Sequence, residues 1–215
     1  GKAGYSLNRD FKGENLTAGA DLFTADTILI HDATTGIYTT YYLYEGDDTW
    51  AAGWYNAGSD DSFDDDYPNG LPAGASFWYV TKATTVNAKV TFSGDVPMSA
   101  SYTKDLVRDE FNMVASPYPV ALKLNDAAQV TLTGATAGPG SLSADTISIH
   151  DATTGIYTTY YLYEGDDEYP AGWYNAGSED LFEDDYPNGL PAGTPFWYVA
   201  QAGTGDFSIT FLKNF

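Results

Sequence analysis

The sequence predicts an all-β protein made of two tandem, homologous, antiparallel β-sandwich-like modules, spanning residues 1–98 and 99–215. Three observations carry this. The block Ala25–Ala83 returns as Ala144–Ala202 at an offset of 119 residues and differs at 11 of 59 positions. Self-similarity at a fixed period defines the architecture before any local feature does. Aromatic and turn-forming residues dominate, with 18 Tyr, 11 Phe, 5 Trp, 22 Gly and 10 Pro, a composition of strands and turns. Short β-branched or aromatic runs alternate with turn signals every 8–12 residues or so, the spacing of small antiparallel sandwiches.

Each module reads as a series of strands. Thr27–His31 and Thr146–His150 are short β-branched runs. DATTG follows at Asp32–Gly36 and Asp151–Gly155, where Asp opens a turn and Gly supplies positive φ. Ile37–Tyr44 and Ile156–Tyr163, both IYTTYYLY, complete a hairpin. GWYNAG adds a short aromatic strand and a turn. PNGLPAG, at Pro68–Gly74 and Pro187–Gly193, is turn chemistry throughout. FWYV at Phe77–Val80 and Phe196–Val199 is the next strand. Val86–Ser93 and Phe207–Leu212 close the modules with alternating apolar residues. Ala128–Ser143 reads as a strand followed by a Gly/Pro-rich loop. No segment has a helical pattern. GDVPMSASYTK, at Gly94–Lys104, reads as the linker between modules.

The flanks differ where the blocks agree. The second module opens with Phe111–Leu122, FNMVASPYPVAL, read as a strand broken by prolines. Leu124-Asn125 matches Leu7-Asn8, and VTLTGA aligns with ENLTAGA. On that alignment the first module lacks a counterpart of Phe111–Leu122, which leaves a sheet edge open to pairing with another chain. The expected donor is the Gly1–Asn8 terminus, with Tyr5 and Leu7 on one face by the strand period of two.

Several motifs resemble a known group. Phe111–Pro119 resembles the N-(L/M)-V-x-N/S-P-(Y/F)-P opening of tandem modules in secreted bacterial surface proteins. His31-Asp32 with Thr35-Gly36-Ile37-Tyr38 is similar to their W/F-D…T-G-x-Y strand and turn. Pro72–Trp78 and Pro191–Trp197 are similar to their P-G-x-G-F-(F/W) turn, with Ser76 and Pro195 in place of Gly. Phe92–Pro97 resembles the F-x-G-x-V-P that ends a first module. The first module departs by lacking the opening motif. The resemblance implies a β fold and a cell-surface location, and supplies no catalytic residues.

Charge and composition narrow the partners. Nine Lys+Arg against 30 Asp+Glu give a net charge of −21, which opposes a nucleic-acid or anionic-membrane partner. The absence of cysteine excludes disulfides and thiolate metal sites. No stretch approaches the roughly 20 apolar residues of a membrane span. The start at Gly1 fits removal of a secretory signal peptide.

The candidate site residues fall in four groups. Asp60, Asp61, Asp64, Asp65 and Asp66, with their twins Glu179, Asp180, Glu183, Asp184 and Asp185, crowd one loop per module. Asp47-Asp48 and Asp166-Asp167 lie in a neighbouring turn. Clustered carboxylates suit Ca²⁺, although the EF-hand order is absent and a solvated acidic loop is the simpler reading of the same residues. Trp54-Tyr55 and Trp173-Tyr174 beside these loops could stack on sugar rings, or fill the core. Asn15 opens a glycosylation sequon, and Thr27 and Thr146 lie in an Asp-Thr-Ile pattern of bacterial O-glycosylation. His31 and His150 each precede Asp, but no nucleophile motif accompanies them and nothing singles out a carboxylate pair, so no catalytic residue is assigned. The expectation is a non-enzymatic extracellular subunit of a filament, layer or matrix, assembled by strand addition between copies. A glycan-binding or adhesive module is the alternative.

Overall fold

The computed structural model describes residues 4–72, 74–83, 87–91, 98–202 and 205–214. The chain divides into two compact units, Gly1–Asp95 and Val96–Phe215. In the first unit the strands are β1 (Lys12–Glu14), β2 (Thr27–Asp32), β3 (Ile37–Tyr44), β4 (Gly53–Asn56), β5 (Trp78–Val80) and β6 (Lys89–Thr91). In the second they are β7 (Ser101–Asp105), β8 (Phe111–Val114), β9 (Val130–Thr133), β10 (Thr146–Asp151), β11 (Ile156–Tyr163), β12 (Gly172–Asn175), β13 (Phe196–Val199) and β14 (Ser208–Leu212). Single helical turns, α1 (Phe63–Asp66) and α2 (Phe182–Asp185), interrupt the acidic loops.

The architecture is all-β, antiparallel and sandwich-like. In the second unit a five-stranded sheet runs β12-β11-β10-β13-β8 and a three-stranded sheet runs β7-β14-β9. Its core takes Ile147, Tyr160, Trp173, Phe196 and Tyr198 from the first sheet and Val130, Ile209 and Phe211 from the second. In the first unit a four-stranded sheet runs β4-β3-β2-β5 and a two-stranded sheet pairs β1 with β6. Ile28, Tyr41 and Trp54 of the larger sheet form its core, with Val90 of the smaller sheet packed against it. The period of two decides these faces: in IYTTYYLY the central Tyr41 and Tyr160 are buried while the flanking Tyr42 and Tyr161 are half-exposed.

The repeated sequence produces repeated registers. Thr27 pairs with Tyr42 and Val80, and Thr146 with Tyr161 and Val199. Both hairpins turn at a glycine of positive φ, Gly36 at 68° and Gly155 at 73°, a conformation that costs a side chain energy. Each turn is closed by its Asp. Asp32 accepts from Thr34 N at 2.8 Å and Thr35 Oγ1 at 3.0 Å, and Asp151 from Thr153 N at 2.8 Å and Thr154 Oγ1 at 2.9 Å.

Three expectations change. Ser101–Asp105, which takes in the end of the expected linker, is a strand paired with Ser208–Leu212; its alternation of exposed and half-buried residues is that of an edge strand. The Gly94–Pro97 part of that linker, and the Phe92–Pro97 motif, lie outside the described residues. Phe111–Leu122 is a strand only over its first four residues, because the prolines that follow cannot donate to a ladder. The flank alignment shifts as well. Paired with β6 and β14, Lys12–Glu14 stands where Thr131–Thr133 stands in the second unit.

Candidate functional site

Leu7-Asn8 and Leu124-Asn125 occupy matching positions. Asn8 Oδ1 accepts from Trp54 N at 2.6 Å, and Asn125 Oδ1 accepts from Trp173 N at 2.6 Å. The segment before Asn8 docks inside its own unit, which overturns the expected donor strand. Gly4 N donates to Asn69 O, Tyr5 N donates to Leu71 O at 2.9 Å, and Leu71 N returns a bond to Tyr5 O at 2.7 Å. Leu7 is 1% exposed in the core. A Cβ at Gly70 would overlap the Gly4 backbone, so glycine is required at this crossing. Tyr5 and Leu7 are intramolecular packing residues. The second unit makes the same crossing with Leu122 and Leu190.

The acidic loops are built by local rules. Asp64, Asp65 and Asp66 fill the first turn of α1, where carboxylates offset the exposed N–H groups of a helix start. Asp65 accepts from Ser62 N at 3.2 Å, closing a capping box. Ser6 Oγ donates to Asp64. Asp66 accepts from Tyr41 Oη at 2.7 Å and Asn56 Nδ2 at 2.8 Å, and Asp185 accepts from Tyr160 Oη at 2.6 Å and Asn175 Nδ2 at 2.8 Å. Glu183 accepts from Asn125 Nδ2 at 2.6 Å. Asp60 and Glu179 adopt positive φ in tight turns, and the backbone carbonyls of Asp61 and Asp180 close the turn with Asn56 N and Asn175 N. Among the described residues no three such side chains converge on a point that could hold a metal ion. The carboxylates of Asp64, Asp65 and Asp66, and of Glu183, Asp184 and Asp185, are instead engaged by a cap N–H, a phenol, a hydroxyl or a carboxamide.

The aromatic pairs separate. Trp54 and Trp173 are each 2% exposed and lie in the cores, which corrects their reading as a sugar platform. Tyr55 is half-buried and Tyr174 is buried; their hydroxyls donate to Ala51 O and Pro170 O. The exposed aromatics of this region are Trp50 and Tyr169, 54% and 51% exposed, held on turns where Asp47 and Asp166 accept paired backbone N–H bonds. Trp50 meets Tyr55 edge-on at 6.2 Å. Sequence reading passed over them because Trp50 and Tyr169 differ between the repeats.

Asp26 and Asp145 are fully buried carboxylates that the sequence did not single out. Asp26 accepts from Tyr79 Oη at 2.6 Å, Lys82 N at 2.8 Å and Thr17 N at 2.9 Å. Asp145 accepts from Tyr198 Oη at 2.9 Å, Gln201 N at 2.7 Å and Thr136 N at 3.1 Å. Three donors each offset the cost of burying a carboxylate. Burial and this contact push the Tyr79 and Tyr198 phenols far above their ordinary range. Thr27, beside Asp26, is 6% exposed in a central strand, which removes it as an acceptor of O-glycans. Thr146 is half-buried in the matching central strand, and Asn15 is exposed. His31 and His150 pack against Tyr38 and Tyr157 at 4.9 and 4.8 Å, while their neighbouring Asp carboxylates are engaged by the turns and held below the ordinary range by those hydrogen bonds.

The units differ most at one side. In the second, β13 lies between β10 and β8, with Phe196, Trp197, Tyr198 and Val199 opposite Val114, Met113, Asn112 and Phe111. Among the described residues of the first, β5 ends its sheet, and β6 ends the smaller sheet where β14 has β7 beyond it. The same FWYV sequence is therefore an inner strand in one unit and an edge in the other. A strand edge of this kind exposes backbone N–H and C=O groups along one side.

No protein-family model matches the chain, and neither a curated protein nor a solved structure does. Fold and site together define an antiparallel, sandwich-like β protein whose first unit, among the described residues, has two strands fewer at the corresponding sheet edges than its second. No helix among the described residues is long and apolar enough to cross a membrane.

Proposed function

We propose that this chain is a non-enzymatic structural protein of the cell exterior, a subunit of a filament, layer or matrix whose members associate by β-strand addition. The observation that carries this is the terminal position of β5 in a sheet whose twin continues for one strand more. An added strand satisfies backbone groups and fills apolar space together. A net charge of −21 would keep copies apart without a directional contact of this kind. The test is size-exclusion chromatography with negative-stain imaging over a concentration series. Regular polymers are the expected result, and a monomer at every concentration and salt would overturn the assembly.

A second reading, glycan binding, is favoured by the exposed Trp50 and Tyr169 at matching turns beside Tyr44 with Tyr55 and Tyr163 with Tyr174. Two such sites on one chain would add avidity. Glycan arrays on the wild type and on Trp50→Ala with Tyr169→Ala test it; loss of signal in the double variant is the expected result, and an unchanged array pattern would reject it.

A further inference from the structure

In the second unit one short segment finishes both sheets. Ser101–Asp105 extends the three-stranded sheet, Phe111–Val114 extends the five-stranded sheet, and only Leu106–Glu110 lie between them. The crossing is locked by Asn112, 2% exposed. Its Oδ1 accepts from Val107 N at 2.8 Å, and its Nδ2 donates to Val107 O at 2.7 Å, Glu110 O at 3.0 Å and Tyr198 O at 3.3 Å. Val114 is fully buried. Arg108 lies 4.9 Å over the Phe207 ring and donates to Gln201 O and Gly134 O.

Among the described residues, the first unit ends both of its sheets at the corresponding strands, β5 and β6. Tyr198, which Asn112 and Phe207 help to enclose, is fully buried, whereas its twin Tyr79 is half-exposed. Val80 is 46% exposed where Val199 is half-buried. Val90 is half-buried where Ile209 is 1% exposed.

We propose that a single strand–turn–strand peptide segment of a partner chain completes both sheets of the first unit, with the sequence pattern of Ser101–Val114. Resting on the strand-addition reading, this names the chemistry of the incoming segment. Its second strand runs antiparallel to Trp78–Val80, with a carboxamide opposite Tyr79 and an aliphatic side chain opposite the Phe77 position, as Asn112 and Val114 lie against Tyr198 and Phe196. Its first strand runs antiparallel to Lys89–Thr91. Ser208 stands opposite Asp105 in the second unit, and Lys89 takes the place of Ser208 in the first, so a carboxylate there meets an ammonium group. Ala88 takes the place of Phe207, so the arginine seat is missing and the segment needs no arginine at its turn.

The test is titration of the isotope-labelled full-length chain with a synthetic peptide of sequence Ser99–Tyr118, read by amide NMR shifts and hydrogen exchange. The expected result is shifts and new protection at Trp78–Val80 and Lys89–Thr91, with Phe196–Val199 and Ser208–Leu212 unchanged. A peptide carrying Val114→Asp should bind about tenfold more weakly or worse, since it must bury a carboxylate, and one carrying Arg108→Ala should bind as well as the parent. These changes are in the peptide, so the fold of the protein is untouched. No shifts at saturating peptide, equal binding of the Val114→Asp peptide, or shifts confined to the second unit would each overturn the proposal. A chain that stays monomeric yet binds the peptide keeps this site and loses the assembly. Polymers that ignore the peptide keep the assembly and lose this site. Polymers dissolved by the peptide keep both, and show that this edge carries the contact between members of the assembly.

Discussion

Two units with nearly the same strand sequences bury them to different extents. Phe196, Trp197 and Tyr198 are 2%, 8% and 0% exposed, while Phe77, Trp78 and Tyr79 are all half-exposed. Registers, turns and the buried Asp–Tyr contacts agree between the units. The difference comes from neighbours: β7 and β8 enclose one copy of FWYV and have no counterpart among the described residues of the other unit. Burial is thus a property of what lies beside a strand, and identical residues can serve as core in one copy and as recognition surface in the other.

The largest test of this contrast is one substitution made in each copy. Tyr198→Ala should cost the second unit about 3–5 kcal/mol, the range for a fully enclosed aromatic, and Tyr79→Ala about 2 kcal/mol in the first. Unit-resolved hydrogen exchange measures both; equal costs would mean the edge is already covered in solution. Asp26→Ala and Asp145→Ala should instead match each other, at about 2–3 kcal/mol, because each strands a phenol and two backbone N–H groups. A large inequality here would show that the open edge weakens the interior as well.

Alkaline pH gives an effect shared by both units. Desolvation and Asp10 raise the Tyr5 phenol to about 12, and Tyr44 and Tyr163 rise to about 12 through hydrogen bonds with Asp47 and Asp166. Tyr41, Tyr160, Tyr79 and Tyr198 are pushed further up, chiefly by burial. A raised phenol pKa adds stability that is fully present below the unfolded value near 10 and lost as pH climbs through the folded value. Absorbance at the phenolate band should therefore show a class of phenolates appearing only above about pH 12, together with unfolding. A single transition near the ordinary value would contradict the buried contacts.

The cap exchange is smaller. Ser62 Oγ accepts from Asp64 N and from Asn8 Nδ2, whereas Leu181 offers no side-chain oxygen and Asn125 bonds to Glu183 instead. Ser62→Leu should cost about 0.5–1 kcal/mol, and Leu181→Ser should return less than that, since Asn125 is already held. The smallest expected effect is from calcium. With no three loop carboxylates converging among the described residues, melts in EDTA and in Ca²⁺ should coincide; a rise in Tm with Ca²⁺ would favour Asp60–Asp66 and Glu179–Asp185 as ligands.

Local chemistry made much of the fold legible. Gly36 and Gly155 mark the hairpin, IYTTYYLY gives its face by alternation, and Leu7-Asn8 matches Leu124-Asn125 on two residues. The same local rules left the acidic loops open between a cation site and a solvated loop, because a capping box and a run of first-turn carboxylates look in sequence like either. They left Trp54 and Trp173 open between a sugar platform and the core, since neighbouring acids do not say which residue of a Trp-Tyr pair turns inward.

The sequence by itself determined the duplication, the all-β class, the hairpin turns and the acidity, each set within a few residues or by the whole-chain count. Tertiary structure alone decided that Ser101–Asp105 is a strand, that Tyr5 and Leu7 pack at home, and that one FWYV is enclosed while its twin forms an edge. Those outcomes depend on pairings between residues far apart in the chain. For such pairings the side-chain pattern gives a face, and only the assembled sheet gives a neighbour.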